Sequence, residues 1–238
     1  MKYFCVSDIH GHYDVLVRDL EKSGWDPNNI GHKLIVIGDM VDRGPQNKEV
    51  LEFLYKLYKK NKAIIIMGNH DMFLLDFLNG NFAKTSFNFL YNCHLETIQQ
   101  LLGHTPNTLC KFEEDQQELL NKYPYLHEFL SSLLGFYEIG KYIFVHGGVN
   151  ATLPDWRIDT MKNFTWNSQA TMPPVPKKMV VCGHKQNVSL RAPNNYKEYL
   201  QYPDIYPDMF KILYLKGSIH IDGSVVATKK INVLVLNV

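Results

Sequence analysis

Five short apolar runs in this chain each lead into residues able to hold a metal ion or move a proton. Tyr3-Phe4-Cys5-Val6 runs into Ser7-Asp8-Ile9-His10-Gly11, and Leu34-Ile35-Val36-Ile37 into Gly38-Asp39-Met40-Val41-Asp42-Arg43-Gly44. Ala63-Ile64-Ile65-Ile66-Met67 runs into Gly68-Asn69-His70-Asp71, Tyr142-Ile143-Phe144-Val145 into His146-Gly147-Gly148, and Met179-Val180-Val181-Cys182 into Gly183-His184. Asp8 and His10 are separated by one residue at the end of an extended run. Alternate side chains there point the same way, so both can reach one ion. Asp39 has the oxygens and charge to bridge two cations about 3.5–4 Å apart. Asn69 offers a neutral amide oxygen, and His146 and His184 offer neutral imidazoles. Donors of mixed Asp, His and Asn type suit manganese, iron or zinc better than calcium or magnesium.

Asp42, Arg43 and His70 suggest other work. The planar fork of Arg43 fits a phosphate bidentately. His70 follows Asn69 directly, which puts its ring beside the ions but outside their ligand set, a place for a general acid to a leaving alkoxide. Asp42 can hold and charge that imidazole. Taken singly, each residue has a plain alternative as a helix cap, a turn residue or a core histidine. It is the recurrence at five strand ends that points to a site.

Short β-branched runs bounded by glycine read as buried strands. Ligands in α/β sheets gather outside the carboxyl ends of such strands, so the pattern predicts one sheet edge that collects Asp, Asn and His. The first 80 residues read β-α-β-α-β-α: strand 3–7, helix 12–23 closed by Gly24, strand 33–38, a helix opened by Pro45 as its first residue, strand 62–67, and helix 70–79 stopped at Asn79-Gly80. Residues 81–135 read as helical, with no ligand cluster; a cap over the site and plain core packing both explain their leucines. Strands return at 136–139, 142–146, 179–183, 211–216, 218–222 and 230–236, with loop-rich stretches at 150–178 and 186–210.

Composition sets the outer bounds. The 238 residues carry a formal net charge of +1, with 45% hydrophobic and 21% charged residues. That is ordinary globular composition, with no sign of a nucleic-acid surface. The apolar stretches are far below the ~20 residues that span a bilayer, so no membrane partner is expected. Only four apolar residues follow Lys2, which argues against a secretory leader. Cys5, Cys93, Cys110 and Cys182 show no paired spacing, and a reducing, cytoplasmic setting follows.

The motifs S-D-I-H-G at 7–11, G-D-M-V-D-R-G at 38–44, G-N-H-D at 68–71, H-G-G at 146–148 and G-H at 183–184 resemble the calcineurin-like metallophosphoesterase superfamily, most closely its phosphoprotein phosphatase branch. The likeness runs from residue 1 to the last strand, and Ile221-Asp222-Gly223 through Leu236 resembles the branch's closing β-hairpin. It implies an α/β (α+β) fold, a four-layer sandwich of two mixed β-sheets flanked by helices, as one domain over 1–238 with a helical insertion around 81–135. It implies one metal on Asp8, His10 and Asp39 and a second on Asp39, Asn69, His146 and His184, with manganese foremost and iron or zinc as alternatives. A hydroxide bridging the ions would attack phosphorus in line while His70, supported by Asp42, protonates the leaving oxygen.

Two departures from that resemblance bear on substrate. Asp71 stands where protein phosphatases usually carry Glu, as it does in diadenosine tetraphosphate hydrolases. Trp166 is followed by Asn167-Ser168, so a second phosphate-binding Arg expected there is missing; Arg157, Arg191 and Lys185 are candidates to replace it. The leading expectation is a serine/threonine protein phosphatase-like phosphomonoesterase, acting on a phosphorylated protein or a small phosphoester. The alternatives are symmetrical hydrolysis of diadenosine tetraphosphate and a non-catalytic binding module. A nuclease is disfavoured by Asp42-Arg43 and the near-neutral charge.

Overall fold

The computed structural model describes residues 1–105 and 109–238; the part of the insertion at 106–108 lies outside the described residues. In chain order the first elements are β1 (Lys2–Val6), α1 (Tyr13–Lys22), β2 (His32–Ile37), α2 (Asn47–Lys59), β3 (Ala63–Ile66) and α3 (Asn69–Leu78). The insertion carries α4 (Phe82–Tyr91), α5 (His94–Leu102), α6 (Phe112–Lys122) and α7 (Leu126–Ser131). Then come β4 (Phe136–Ile139), β5 (Tyr142–Val145), α8 (Met161–Trp166), β6 (Met179–Cys182), α9 (Asn187–Arg191), α10 (Tyr196–Gln201), β7 (Leu213–Leu215), β8 (Ser218–His220), α11 (Val225–Thr228) and β9 (Leu234–Asn237).

The strands form two mixed sheets, ordered β3-β2-β1-β9 and β4-β5-β6-β8-β7. β1, β2 and β3 are parallel with β9 antiparallel to β1, while β5, β6 and β8 are parallel between antiparallel β4 and β7. Alternation of side chains along each strand builds the layers. On β1, Tyr3 and Cys5 face the other sheet, packing with Ile35, Ile37, Phe144 and Val181. Phe4 and Val6 face the helices, with Leu16, Leu51, Phe77 and Leu101. On the far side of the second sheet, Ile143, Val145, Val180 and Cys182 pack against Trp156 and Phe164. Strands covered on both faces are apolar throughout, which is why they read as continuous runs.

Helix ends follow local chemistry. After α1, Gly24 takes φ +83° and Trp25 N–H closes back on Leu20 O at 3.1 Å, a left-handed C-terminal cap. Gly80 does the same after α3, at φ +75°.

Three expectations are corrected. The strands that lead into the candidate ligands lie in two sheets, β1 to β3 in one and β5 and β6 in the other; periodicity shows that a strand is buried but not which sheet holds it. Pro45 does not open α2, which starts at Asn47: the preceding loop first folds back, with Gln46 N–H on Gly11 O at 2.8 Å. The closing hairpin is β7–β8, whereas β9 crosses to the first sheet and pairs with β1, and Ile231 N–H is tied to Asp19 Oδ2 at 2.8 Å. No helix among the described residues is long and apolar enough to cross a membrane.

Candidate active site

The loops after β1, β2, β3, β5 and β6 meet where the two sheets come together. Six of the eleven non-glycine residues with positive φ among the described residues are candidate site residues: Asp8, His10, Asp39, Asp42, Arg43 and His184. Asp and His tolerate this region better than most residues, and such backbone conformations concentrate where a side chain must be aimed. The loops also approach closely. A Cβ on Gly38 would lie 2.6 Å from both Gly68 Cα and His146 Nδ1, and one on Gly183 would meet the Asp8 carboxylate.

Two groups of ligand atoms each close to within 4.8 Å among the described residues: His10, Asp39 and His70, and Asp39, His146 and His184. Asp39 belongs to both. Asn69 Oδ1 lies 3.1 Å from His146 Nε2 and 3.0 Å from His184 Nδ1, and Asp39 Oδ1 is 3.4 Å from His146 Nε2. Asp8 lies in neither group; both of its oxygens accept from the His184 amide at 3.2 Å.

The donor set fits metal ions. His10 Nδ1 donates to Val41 O at 2.9 Å and His146 Nδ1 to Ile37 O at 2.8 Å, which turns Nε2 of each ring inward, where it can meet an ion once any proton on it has left. Electrostatics agree. Burial works against a charged His146, but Asp39 and Asp8 outweigh it and raise that ring to about 10. Burial, then His146, lowers His184 to about 3. Burial likewise opposes an ionised Asp39, yet His146, His70 and His10 hold it well below the usual carboxylate range. Asp8 is pushed up to about 6 by burial and by Asp39, against the pull of His146. This is a pocket of lone pairs and carboxylates that calls for added positive charge.

The His70–Asp42 pair stands beside it. His70 Nδ1 donates to Asp42 Oδ2 at 2.7 Å, with both side chains buried. Burial opposes charge on Asp42, but His94 and His70 hold it well below its usual range. Arg43 sits at the mouth and reaches in, its two terminal nitrogens 2.8 Å from His10 Nε2 and 2.9 Å from His70 Nε2. Arg43 can only donate, so both contacts use an Nε2 lone pair; an ion held by His10 would exclude the first and a proton on His70 Nε2 the second, which would turn the fork to phosphate oxygens.

Of the cations considered as a second phosphate clamp, only Lys185 lines the site. Arg157 pairs with Glu138 at 3.0 Å and Asp155 at 3.3 Å. Arg191 donates to the backbone carbonyls of Met209, Lys211 and Ile212.

The roles of several residues escaped the sequence reading. Asp71 accepts from three backbone amides, Asp39, Met40 and Gly68, at 2.8–2.9 Å and so ties the β2 and β3 loops together. At the third position of α3, three residues after Gly68, it supplies the carboxylate half of a capping box, and an acid at that position is the one local signal that could have found it. His94 and Thr97 of α5 both hold Asp42, and no local signal marks them. Asp222, buried and pushed well above its usual range by burial and Asp8, lies just past the end of β8.

Two clefts of about 460 Å³ each open from Arg43 and His184. One is walled by His70, Phe73, Lys84, Asn88 and Trp166, the other by Lys185, Gln186, Ser189, Tyr196 and Asp222.

Comparison with known proteins gives the family. The family described as calcineurin-like phosphoesterase matches residues 1–212. A symmetrical bis(5'-nucleosyl)-tetraphosphatase of Buchnera aphidicola is 31% identical over 164 residues, 69% of this chain and 50% of the relative. An asymmetrical bis(5'-nucleosyl)-tetraphosphatase of Bacillus subtilis is 37% identical over 90 residues, 35% of this chain and 37% of the relative. The chain thus spans half or less of the length of these relatives. A solved cold-active protein-tyrosine phosphatase from a psychrophilic Shewanella shares the fold, with a TM-score of 0.57 at 18% identity, covering 99% of this chain and 75% of that one.

Proposed function

The chain belongs to the calcineurin-like phosphoesterase family, and on that premise we propose that it hydrolyses phosphoric ester or anhydride bonds with two metal ions held where its sheets meet. The observation that carries this is the convergence of Asp39, Asn69, His146 and His184 on one side, and Asp39 and His10 on the other, beside an ordered His70–Asp42 pair. Asp8, His10 and Asp39 would hold one ion and Asp39, Asn69, His146 and His184 the second, with manganese the first choice and iron or zinc the alternatives. Two such ions acidify a water and stabilise charge developing on the phosphoryl oxygens. The chain's own groups do the rest. Arg43 takes two phosphate oxygens and orients the phosphorus. His70 gives a proton from Nε2 to the leaving oxygen, while Asp42 on Nδ1 keeps the ring turned to it and balances its charge.

The substrate reading follows from the two clefts. His70 lines only the first, so the leaving group belongs there. A phosphomonoester has no substituent to place in the second. A phosphorus with groups on both sides does, and each cleft carries a cation, Lys84 (3.5 Å from Asp76) in one and Lys185 in the other. A dinucleoside polyphosphate meets that description, and the names of the curated relatives support it. A phosphoserine or phosphothreonine protein, occupying the first cleft alone, is the second reading. The manganese-loaded protein would be assayed on diadenosine tetraphosphate, a phosphothreonine peptide and para-nitrophenyl phosphate side by side. The account expects the dinucleotide to have the highest kcat/KM; preference for the peptide would hand the site to the second reading.

We take residues 1–238 as one domain with its insertion at 81–135. In support, Ile98, Leu101, Leu119 and Phe129 share one core cluster with Leu34 and Val36 of β2. A reducing, cytoplasmic setting is our reading for the four cysteines, all free thiols.

A further inference from the structure

Helix α5 turns one polar face to the loop that carries Asp42. His94 Nδ1 donates to Asp42 Oδ1 at 3.0 Å, and the Thr97 hydroxyl donates to the same oxygen at 2.5 Å. One turn further on, Gln100 Nε2 donates to Gly44 O at 3.0 Å, and Gln100 Oε1 accepts from Asn47 Nδ2 at 2.9 Å. His94, Thr97 and Gln100 fall at i, i+3 and i+6, one side of a helix, while Ile98, Leu101 and Leu102 go to the core. The His94 ring is fully buried, 5.2 Å edge-on from Phe89 and 6.3 Å from Phe77 and Phe73. Its Nε2 has no hydrogen-bond partner among the described residues. A buried polar atom left unpaired is costly, so an apolar side chain would serve this cage better if packing were its only task.

We infer that His94 is a positioning residue that acts through Asp42 to aim His70, so that the helical insertion is part of the proton-delivery apparatus. The inference rests on the proposed hydrolysis of phosphoric esters with His70 as acid. The physical reason lies in the carboxylate. Its Oδ2 is committed to His70 Nδ1 at 2.7 Å. With Oδ1 fixed by two donors from a core-anchored helix, the carboxylate plane cannot turn, and neither can the ring bonded to it. Without His94 only the Thr97 hydroxyl holds Oδ1, and the plane is held less firmly.

The test uses manganese-loaded full-length protein and two substrates, phenyl phosphate with a poor leaving group and 2,4-dinitrophenyl phosphate with a good one. His94→Phe should lower kcat on phenyl phosphate by about 10- to 100-fold while KM and dinitrophenyl turnover stay within about twofold. His94→Asn, whose Nδ2 can replace ring Nδ1 as donor, should restore most of the loss. In a His70→Asn background, His94→Phe should cost nothing further, because it acts only through that ring. Equal losses on both substrates, no rescue by Asn, or a full additional loss in the His70→Asn background would each overturn the inference. If His94→Phe does not fold, Thr97→Val gives the same reading, with a selective loss of about 3- to 10-fold expected and an unselective one against it. Wild-type protein inert on both substrates would sink the hydrolase reading and this inference together. Active wild type with an unselective His94→Phe would sink this inference alone.

Discussion

Asp71 holds two loops that carry candidate ligands by their backbones, and that makes it the residue whose loss should be felt beyond its own contacts. Asp71→Asn keeps the shape but leaves one oxygen for three buried amides. It should cost about 2–3 kcal/mol of stability and lower metal content together, read by urea unfolding and by metal analysis; full metal content at wild-type stability would show that Asp71 is not the tie. A second prediction comes from His146. A raised pKa means the metal-free fold gains stability from the protonated ring. That gain is present in full below the ordinary value of about 6.5 and is lost as pH climbs toward about 10. An ion on Nε2 must displace this proton, whereas His184, lowered to about 3, brings none. Manganese binding at about pH 7.5 should therefore release about one proton from this cluster, measured by calorimetry in buffers of different ionisation heat; no release would contradict the assignment. At this scale the candidate residues that the structure brings together were legible, because Asp, Asn and His at strand ends serve few purposes together. The role of Asp71 was hidden because its partners are backbone amides, which the sequence does not distinguish.

Each loop after a strand is short, so a small change beside one is a large change in aim. Gly183 and Gly24 make a matched pair. A methyl on Gly183 would strike the Asp8 carboxylate and the Ser7 side chain, while one on Gly24 meets nothing within 4 Å but sits at φ +83°. Gly24→Ala should cost about 1 kcal/mol of stability and leave turnover intact. Gly183→Ala should cut turnover by at least about 10-fold with loss of metal; urea unfolding and metal content separate the two, and a Gly183→Ala protein with full metal and turnover would refute the crowding argument. Most elements were legible in the sequence, since β1, β2 and β3 are apolar on both faces and α1 and α3 carry clear stripes and glycine stops. Other features depended on partners far away in the chain. The division of β5 and β6 into a second sheet, the crossing of β9 to β1 and the late start of α2 are set by tertiary pairing. The same holds for α5: its apolar face predicts a helix, but that its other face meets Asp42 is a fact of packing.

For the whole molecule the question is which substrates two clefts and one shared metal centre admit. Lys185 lies in the cleft that His70 does not line. Lys185→Ala should raise KM for diadenosine tetraphosphate by about 10-fold and do so more than for para-nitrophenyl phosphate; equal effects would argue that the second cleft does not bind substrate. The net charge of +1 gives no general attraction for anions, so recognition must come from these local cations. Everything above depends on two ions at Asp39. The most direct measurement is therefore a stepwise manganese titration of chelator-stripped protein, counting bound ions while following hydrolysis of para-nitrophenyl phosphate. The account predicts two ions per chain, with turnover rising as the second site fills and absent from the stripped protein. Turnover without metal, or a chain that binds no more than one ion at saturation, would contradict it.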